Sequence, residues 1–144
     1  CAEPSEIDKH NIYQATILAM HRALHQIQMK IDHILVDGPN FKPYCDKDDD
    51  YPDYTCVVKG DDSYLSIASA SILAKCARDT HVMEITRSQD CYQCYGWEKN
   101  KGYGTKTHMD AIQENGITEF HRLSFAPCQG KPRIKIKTDK NNKI

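Results

Sequence analysis

Two aspartates stand where short apolar runs end, and that placement is what could give them chemistry. Asp37 directly follows Ile34-Leu35-Val36, and Asp61 follows Cys56-Val57-Val58 after the turn residues Lys59 and Gly60. In an α/β sheet the carboxyl ends of the strands open on the functional crevice, so a side chain there projects from a rigid element. Two such carboxylates can converge on hard cations, and an all-oxygen donor set favours Mg2+ or Mn2+ over zinc. Two are too few to hold a pair of metal ions unaided. The competing readings are local ones: a turn aspartate for Asp37 and a helix cap for Asp61.

A second group of residues suits nucleic acid. Tyr103 lies between Gly102 and Gly104, just beyond Lys99 and Lys101. A flat ring on a basic loop can stack on a base or sugar while ammonium groups meet phosphates. An aromatic loop residue is more often a packing anchor, and Trp97 is the predicted anchor here. His121 and Arg122 precede Ser124-Phe125-Ala126-Pro127, where they either contact phosphate or fasten the last turn. The charge is uneven in the same sense. Residues 1–62 hold 6 Lys and Arg against 12 Asp and Glu, while residues 63–144 hold 13 against 8. The net charge of −1 therefore leaves room for a polyanionic partner met by a basic face, with cations bridging the acidic one.

Other polar clusters carry less. The run Asp46-Lys47-Asp48-Asp49-Asp50 lacks the alternating ligands and closing Glu of a calcium loop and reads as a solvated turn. Cys91 and Cys94 have metal-knuckle spacing, but no second pair follows. Seven cysteines, an odd number, argue against a disulfide framework and fit a reducing, cytoplasmic compartment. No apolar run is long enough for a membrane helix. The opening Cys1-Ala2-Glu3-Pro4 lacks an initiator Met and the segments of a signal peptide, as a processed product or fragment would.

The elements that must position these residues follow from periodicity. Ser5 is the predicted cap of a helix reaching about residue 29, with Ile12, Ala15, Thr16, Ala19, Ala23 and Ile27 on one face. Ile34-Leu35-Val36 reads as a central strand buried on both faces. Residues 38–54 read as an exposed loop, and Cys56-Val57-Val58 as a second strand. The following helix carries a small-residue face of Ile67, Ala70, Ser71, Ala74, Ala77 and His81, suited to close approach to a sheet. Thr105 is the predicted cap of a last helix ended by Asn115-Gly116. The order predicts a three-layer α/β domain over residues 1–127, then a basic polar tail over 128–144. It also predicts an incomplete domain, because a doubly buried strand needs neighbours on both sides. The isolated chain would then be partly unfolded or self-associated.

Ile34-Leu-Val-Asp-Gly38, Val57-Val-Lys-Gly-Asp61, Ser66-Ile-Ala-Ser-Ala-Ser-Ile-Leu-Ala-Lys75, Tyr95-Gly-Trp-Glu-Lys-Asn-Lys-Gly-Tyr-Gly-Thr105 and His121-Arg-Leu-Ser-Phe-Ala-Pro127 closely resemble ribonuclease HII, the type 2 ribonuclease H family. The resemblance covers about residues 3–127, with the motifs in family order. It implies a ribonuclease H-like three-layer fold with a central mixed sheet, here lacking its first strands. It also implies an endonuclease using two metal ions, Mg2+ or Mn2+, to cut RNA–DNA hybrids and DNA with embedded ribonucleotides. Asp37 and Asp61 match two of the family's four acidic catalytic and metal-binding residues. Tyr103 matches its junction-sugar reader, and Lys59, His121 and Arg122 match parts of the surrounding site. The family's opening Gly-x-Asp-Glu-x-Gly-Arg-Gly motif has no counterpart here. The resemblance thus makes the missing amino-terminal segment of the same protein a required partner, and the chain alone is expected to be inactive. The alternative is a non-catalytic nucleic-acid-binding remnant, or a fragment completed by another chain.

Overall fold

The computed structural model describes residues 1–134. The chain divides into two compact units, Cys1–Arg78 and Asp79–Ile144.

In the first unit, helix α1 spans Pro4–His25, and its cap is Glu3 rather than the predicted Ser5. Proline at the first helical position explains the shift, since its missing N–H has no intrahelical partner to lose there. The Glu3 N–H donates to Glu6 Oε2 at 2.9 Å. The Arg22 guanidinium also grips Glu6, at 2.6 and 2.9 Å, and holds its carboxyl well below the usual range, at about 2. In a straight helix, residues 16 apart lie about 24 Å from one another. The helix therefore cannot be straight. It breaks at Asn11 (φ 66°, ψ 166°), and the Asn11 side chain restarts it by accepting from Gln14 N. The break displaces the predicted face: Ala15 and Ile17 are buried, while Ile12 and Ile27 are exposed.

Strands β1 (His33–Asp37) and β2 (Asp53–Val57) pair in parallel, from His33 opposite Asp53 to Asp37 opposite Val57. Ile34 and Val36 point onto Ile17, Phe41 and Tyr44, with Met20 and Leu24 packed alongside. Leu35 faces the other way and is 39% exposed. The expectation of burial on both faces is therefore wrong for this chain, because among the described residues only one face of the strand is covered. The predicted exposed loop likewise contains two buried rings, Phe41 and Tyr44, which close the same core. Its acidic run closes on itself, with Asp46 Oδ1 accepting from the backbone of Asp48 and Asp50.

A one-turn helix α2 (Gly60–Ser63) leads into α3 (Leu65–Ser88). Ile67 is buried, but residues 69–77 are exposed throughout, with Ile72 at 63% and Leu73 at 70%. The small-residue face predicted to approach a sheet is thus open.

The second unit holds the end of α3, a 3-10 helix Asp90–Tyr95, α4 (Trp97–Asn100), α5 (Lys106–Asn115) and a 3-10 turn Ala126–Cys128. Its core gathers Tyr92, Tyr95, Trp97, Ala111, Ile112, Ile117 and Cys128. Tyr95 stacks on Trp97 with centroids 5.0 Å apart, so Trp97 is a packing anchor. Thr105 caps α5, its side chain accepting from His108 N. Order continues past residue 127: Cys128 is buried, and Ile117 exchanges backbone bonds with Pro132 and Ile134 across a parallel bridge to Arg133. The rest of the proposed tail, residues 135–144 with Ile136, lies outside the described residues. No helix among the described residues is long and apolar enough to cross a membrane.

Gly116 makes that bridge possible. Its φ is +86°, and a Cβ there would meet the Pro132 carbonyl oxygen at 2.3 Å. Gly116→Ala should therefore destabilise the protein by about 2 kcal/mol or more, combining left-handed strain with a backbone clash. A denaturant midpoint equal to the parent's would show that residues 116–117 do not sit against Pro132.

Candidate active site

The two aspartates are brought together by the parallel pairing. Asp37 is the last residue of β1 and lies opposite Val57, the last residue of β2. Beyond Val57 the chain turns through Lys59 in the left-handed conformation (φ 55°) and enters α2 at Gly60. The Gly60 N–H then donates to Asp37 Oδ1 at 2.9 Å, one residue before Asp61. A second backbone bond, Gly38 N to Val57 O at 2.9 Å, pins the other strand end. A side chain at position 60 would crowd this junction, chiefly the end of the Ile67 side chain. A Cβ there would stand 2.6 Å from Ile67 Cδ1, 3.3 Å from Val57 Cβ and 3.6 Å from Asp37 Oδ1. Asp37, Lys59 and Asp61 are all exposed.

This donor set suits a hard, hydrated cation. Mg2+ is commonly held by one or two carboxylates and fills its remaining positions with water and substrate phosphate. Two exposed aspartates, one at the end of β1 and oriented by a backbone N–H, the other in the short helix that follows β2, meet that description. A closed protein cage is another matter, since no group of three or more His, Cys, Asp or Glu placed to hold a metal occurs among the described residues.

In the second unit Tyr103 tops the turn between α4 and α5 and is 60% exposed. Its N–H donates to Asn100 O at 2.8 Å, and its carbonyl accepts from Thr105 N at 2.8 Å. Asn100 braces the turn from below, donating to Tyr95 O and accepting from Gly102 N, both at 2.8 Å. Of the two lysines predicted to meet phosphates, Lys101 turns its ammonium back onto Glu98 O, while Lys99 is exposed. The Arg122 guanidinium lies over the Phe125 ring, 3.4 Å from its centroid.

His121 is not on the surface. It is 6% exposed, and both ring nitrogens face protein groups: Nδ1 meets Thr118 N at 3.0 Å, and Nε2 meets His108 Nε2 at 3.1 Å. A phosphate contact is closed to it, which leaves the competing expectation that it fastens the last turn. His108 is buried beside it, bonded to Trp97 Nε1 at 3.1 Å and to the Tyr103 carbonyl at 3.0 Å. Burial depresses both imidazoles, His121 to about 4 with its neighbour His108 adding to the effect, so both are neutral near pH 7. The sequence expectations gave no role to His108 or Asn100. The helix register was a signal for His108, since it shares the inward side with Ala111 and Ile112.

The family model for ribonuclease HII matches residues 2–128. Among curated proteins, a ribonuclease HII of Phocaeicola vulgatus is 47% identical over 133 residues, covering 92% of this chain and 62% of its own length. One from Parabacteroides distasonis is 51% identical over 122 residues, covering 85% and 57% respectively. One from Pseudothermotoga lettingae is 44% identical over 134 residues, covering 93% and 55%. The chain thus spans 55–62% of the length of these relatives.

The buried imidazoles make stability depend on pH in a fixed direction. The unfolded chain binds protons at histidines below about pH 6.5, whereas folded His121 binds its proton only near 4. The contribution is therefore complete above about 6.5 and is lost as pH falls toward 4. Thermal midpoints should drop across that window, and His121→Gln should flatten the drop. An equally steep drop in the variant would place the titrating group elsewhere.

Proposed function

Since this chain belongs to the ribonuclease HII family, we propose that it is part of an endonuclease that hydrolyses the RNA strand of RNA–DNA hybrids and incises duplex DNA at embedded ribonucleotides. The observation that carries this reading is the Gly60-to-Asp37 bond, which ties the carboxylate at the end of β1 to the residue preceding Asp61. Asp37 and Asp61 would be ligands of Mg2+ or Mn2+ ions, which when bound neutralise phosphate charge and make water a better nucleophile. The protein's own part is orientation. The Gly60 N–H fixes the rotation of the Asp37 carboxylate, so that its position does not have to be found anew with each substrate. Lys59, exposed in the turn between them, offers its ammonium to an approaching phosphate. Tyr103 presents its ring to the sugar at the RNA–DNA junction, and Arg122 adds a phosphate contact. His121 acts from inside. The two remaining carboxylates of the site come, in this reading, from an amino-terminal segment of the same protein.

Residues 1–144 alone, given Mg2+ or Mn2+ and a DNA duplex with one embedded ribonucleotide, should not cleave it. Robust cleavage would mean that other acids complete the site, with Asp62, Asp53 and Asp79 first to be tested. In the complete protein, Asp37→Asn and Asp61→Asn should each lower turnover on the order of 100-fold with little change in melting temperature. Full activity in both would sink the ligand assignment. Duplex binding that survives with no cleavage in the unmutated complete protein would favour the non-catalytic remnant. Tyr103→Ala should weaken junction recognition by ~1–3 kcal/mol, the worth of a stacked ring. It should spare uniform hybrid, and equal losses on both substrates with a lower melting temperature would make Tyr103 a packing residue.

A further inference from the structure

The proton positions in the buried chain beneath Tyr103 are determined by its two ends. Tryptophan Nε1 and a backbone N–H can only donate. Trp97 Nε1 lies 3.1 Å from His108 Nε2, so that nitrogen is an acceptor and carries no proton. Neutral His108 must then be protonated on Nδ1, which donates to the Tyr103 carbonyl at 3.0 Å. At the other end Thr118 N–H donates to His121 Nδ1 at 3.0 Å, so the proton of neutral His121 is on Nε2, pointing at His108 Nε2 across 3.1 Å. The Thr118 hydroxyl fits the same order: it accepts from Phe120 N at 3.1 Å and donates to His121 Nδ1 at 2.9 Å. The directions agree from Thr118 through His121 and His108 to Tyr103, with His108 Nε2 and His121 Nδ1 each sharing one lone pair between two donors.

What the chain holds is the part of the loop that most needs holding. Tyr103 sits between two glycines, with Gly102 at φ +78°. Its carbonyl accepts twice, from Thr105 N within the turn and from the core through His108. A ring that selects a sugar by stacking must be presented at a set height and tilt, and a placement error of about 1 Å is enough to lose much of a site's effect.

We propose that His108 is a positioning residue for substrate recognition, its Nδ1–H fixing the Tyr103 carbonyl and hence the ring, with Trp97 and His121 enforcing the tautomer that makes the bond. The role of Tyr103 rests on the ribonuclease reading above; the positioning of the loop does not.

The test uses the complete protein and two variants. In His108→Asn the side-chain amide can donate from the place of Nδ1, whereas His108→Leu fills the space without a donor. Loss of one hydrogen bond of about 1 kcal/mol corresponds to roughly five-fold. His108→Leu should therefore lower kcat/KM on the single-ribonucleotide duplex by about five-fold relative to uniform hybrid, mainly through KM, and His108→Asn should restore most of that ratio. Equal losses on both substrates, or no difference between the two variants, would overturn the proposal. Nitrogen-15 spectra of the unmutated protein at neutral pH give an independent reading that needs no variant to fold. They should show His108 as the Nδ1–H tautomer and His121 as the Nε2–H tautomer, and either reversed, or an imidazolium, overturns it. If the complete protein cleaves neither substrate, the ribonuclease reading fails. Amide exchange at Tyr103 and Thr105 then decides the positioning role: faster in His108→Leu and restored in His108→Asn supports it, and unchanged exchange refutes it.

Discussion

The hydrogen bond from Gly60 N to Asp37 Oδ1 is the contact on which the candidate site depends. It ties the end of β1 to the turn that follows β2, and it can form only because the strands run parallel in a register that ends with Asp37 opposite Val57. A register slip of one residue would carry Asp37 away from Gly60 and turn Ile34 and Val36 out of the core. The apolar face of a five-residue strand therefore sets where a carboxylate stands. Gly60 is the complement of that arrangement, since the space a side chain would need is taken by Ile67 and Val57.

The second unit arrives at a fixed loop by a different route. A buried set of aromatic and imidazole rings provides hydrogen-bond donors, and the acceptors are the carbonyl after α5, a neighbouring imidazole and the carbonyl of the turn. Tyr95 donates to Gly116 O, Trp97 to His108 and His108 to Tyr103 O. Buried side-chain polar atoms without a partner are absent among the described residues. Such networks are strong while every member is satisfied, and they depend on both imidazoles staying neutral. Fold stability and loop placement thus share the same protonation condition.

Large apolar side chains nonetheless face water. Leu35 on the open face of β1 and Leu65, Ile72 and Leu73 on α3 are exposed, and the small residues between 69 and 77 are exposed with them. The composition of that stretch, alanine and serine mixed with isoleucine and leucine, is one that ordinarily sits against another element. The chain spans 55–62% of the length of its ribonuclease HII relatives from Phocaeicola, Parabacteroides and Pseudothermotoga.

The elements that carry the candidate site were partly legible in the sequence because they follow local rules. An apolar run followed by Asp marks a strand end, Thr105 and Gly116 bracket a helix through capping, and Trp97 amid glycines is an anchor. The motifs from Ile34 to Pro127 identified the family through residue types in order. What the sequence could not express was which faces are covered. Ile34-Leu35-Val36 has the composition of a doubly buried strand, yet Leu35 is open, because burial depends on partners that the run itself does not encode. The break at Asn11 was hidden for a similar reason. The pattern on either side is helical, and the break shows only in the Asn11 backbone and in the Arg22 bonds that reach back to Glu6 and Cys1. His121 shows the limit most plainly. Its position in a motif suggested a phosphate contact, but tertiary packing decided that it lies in the interior, where two neutral rings and an indole leave each proton a single place to be.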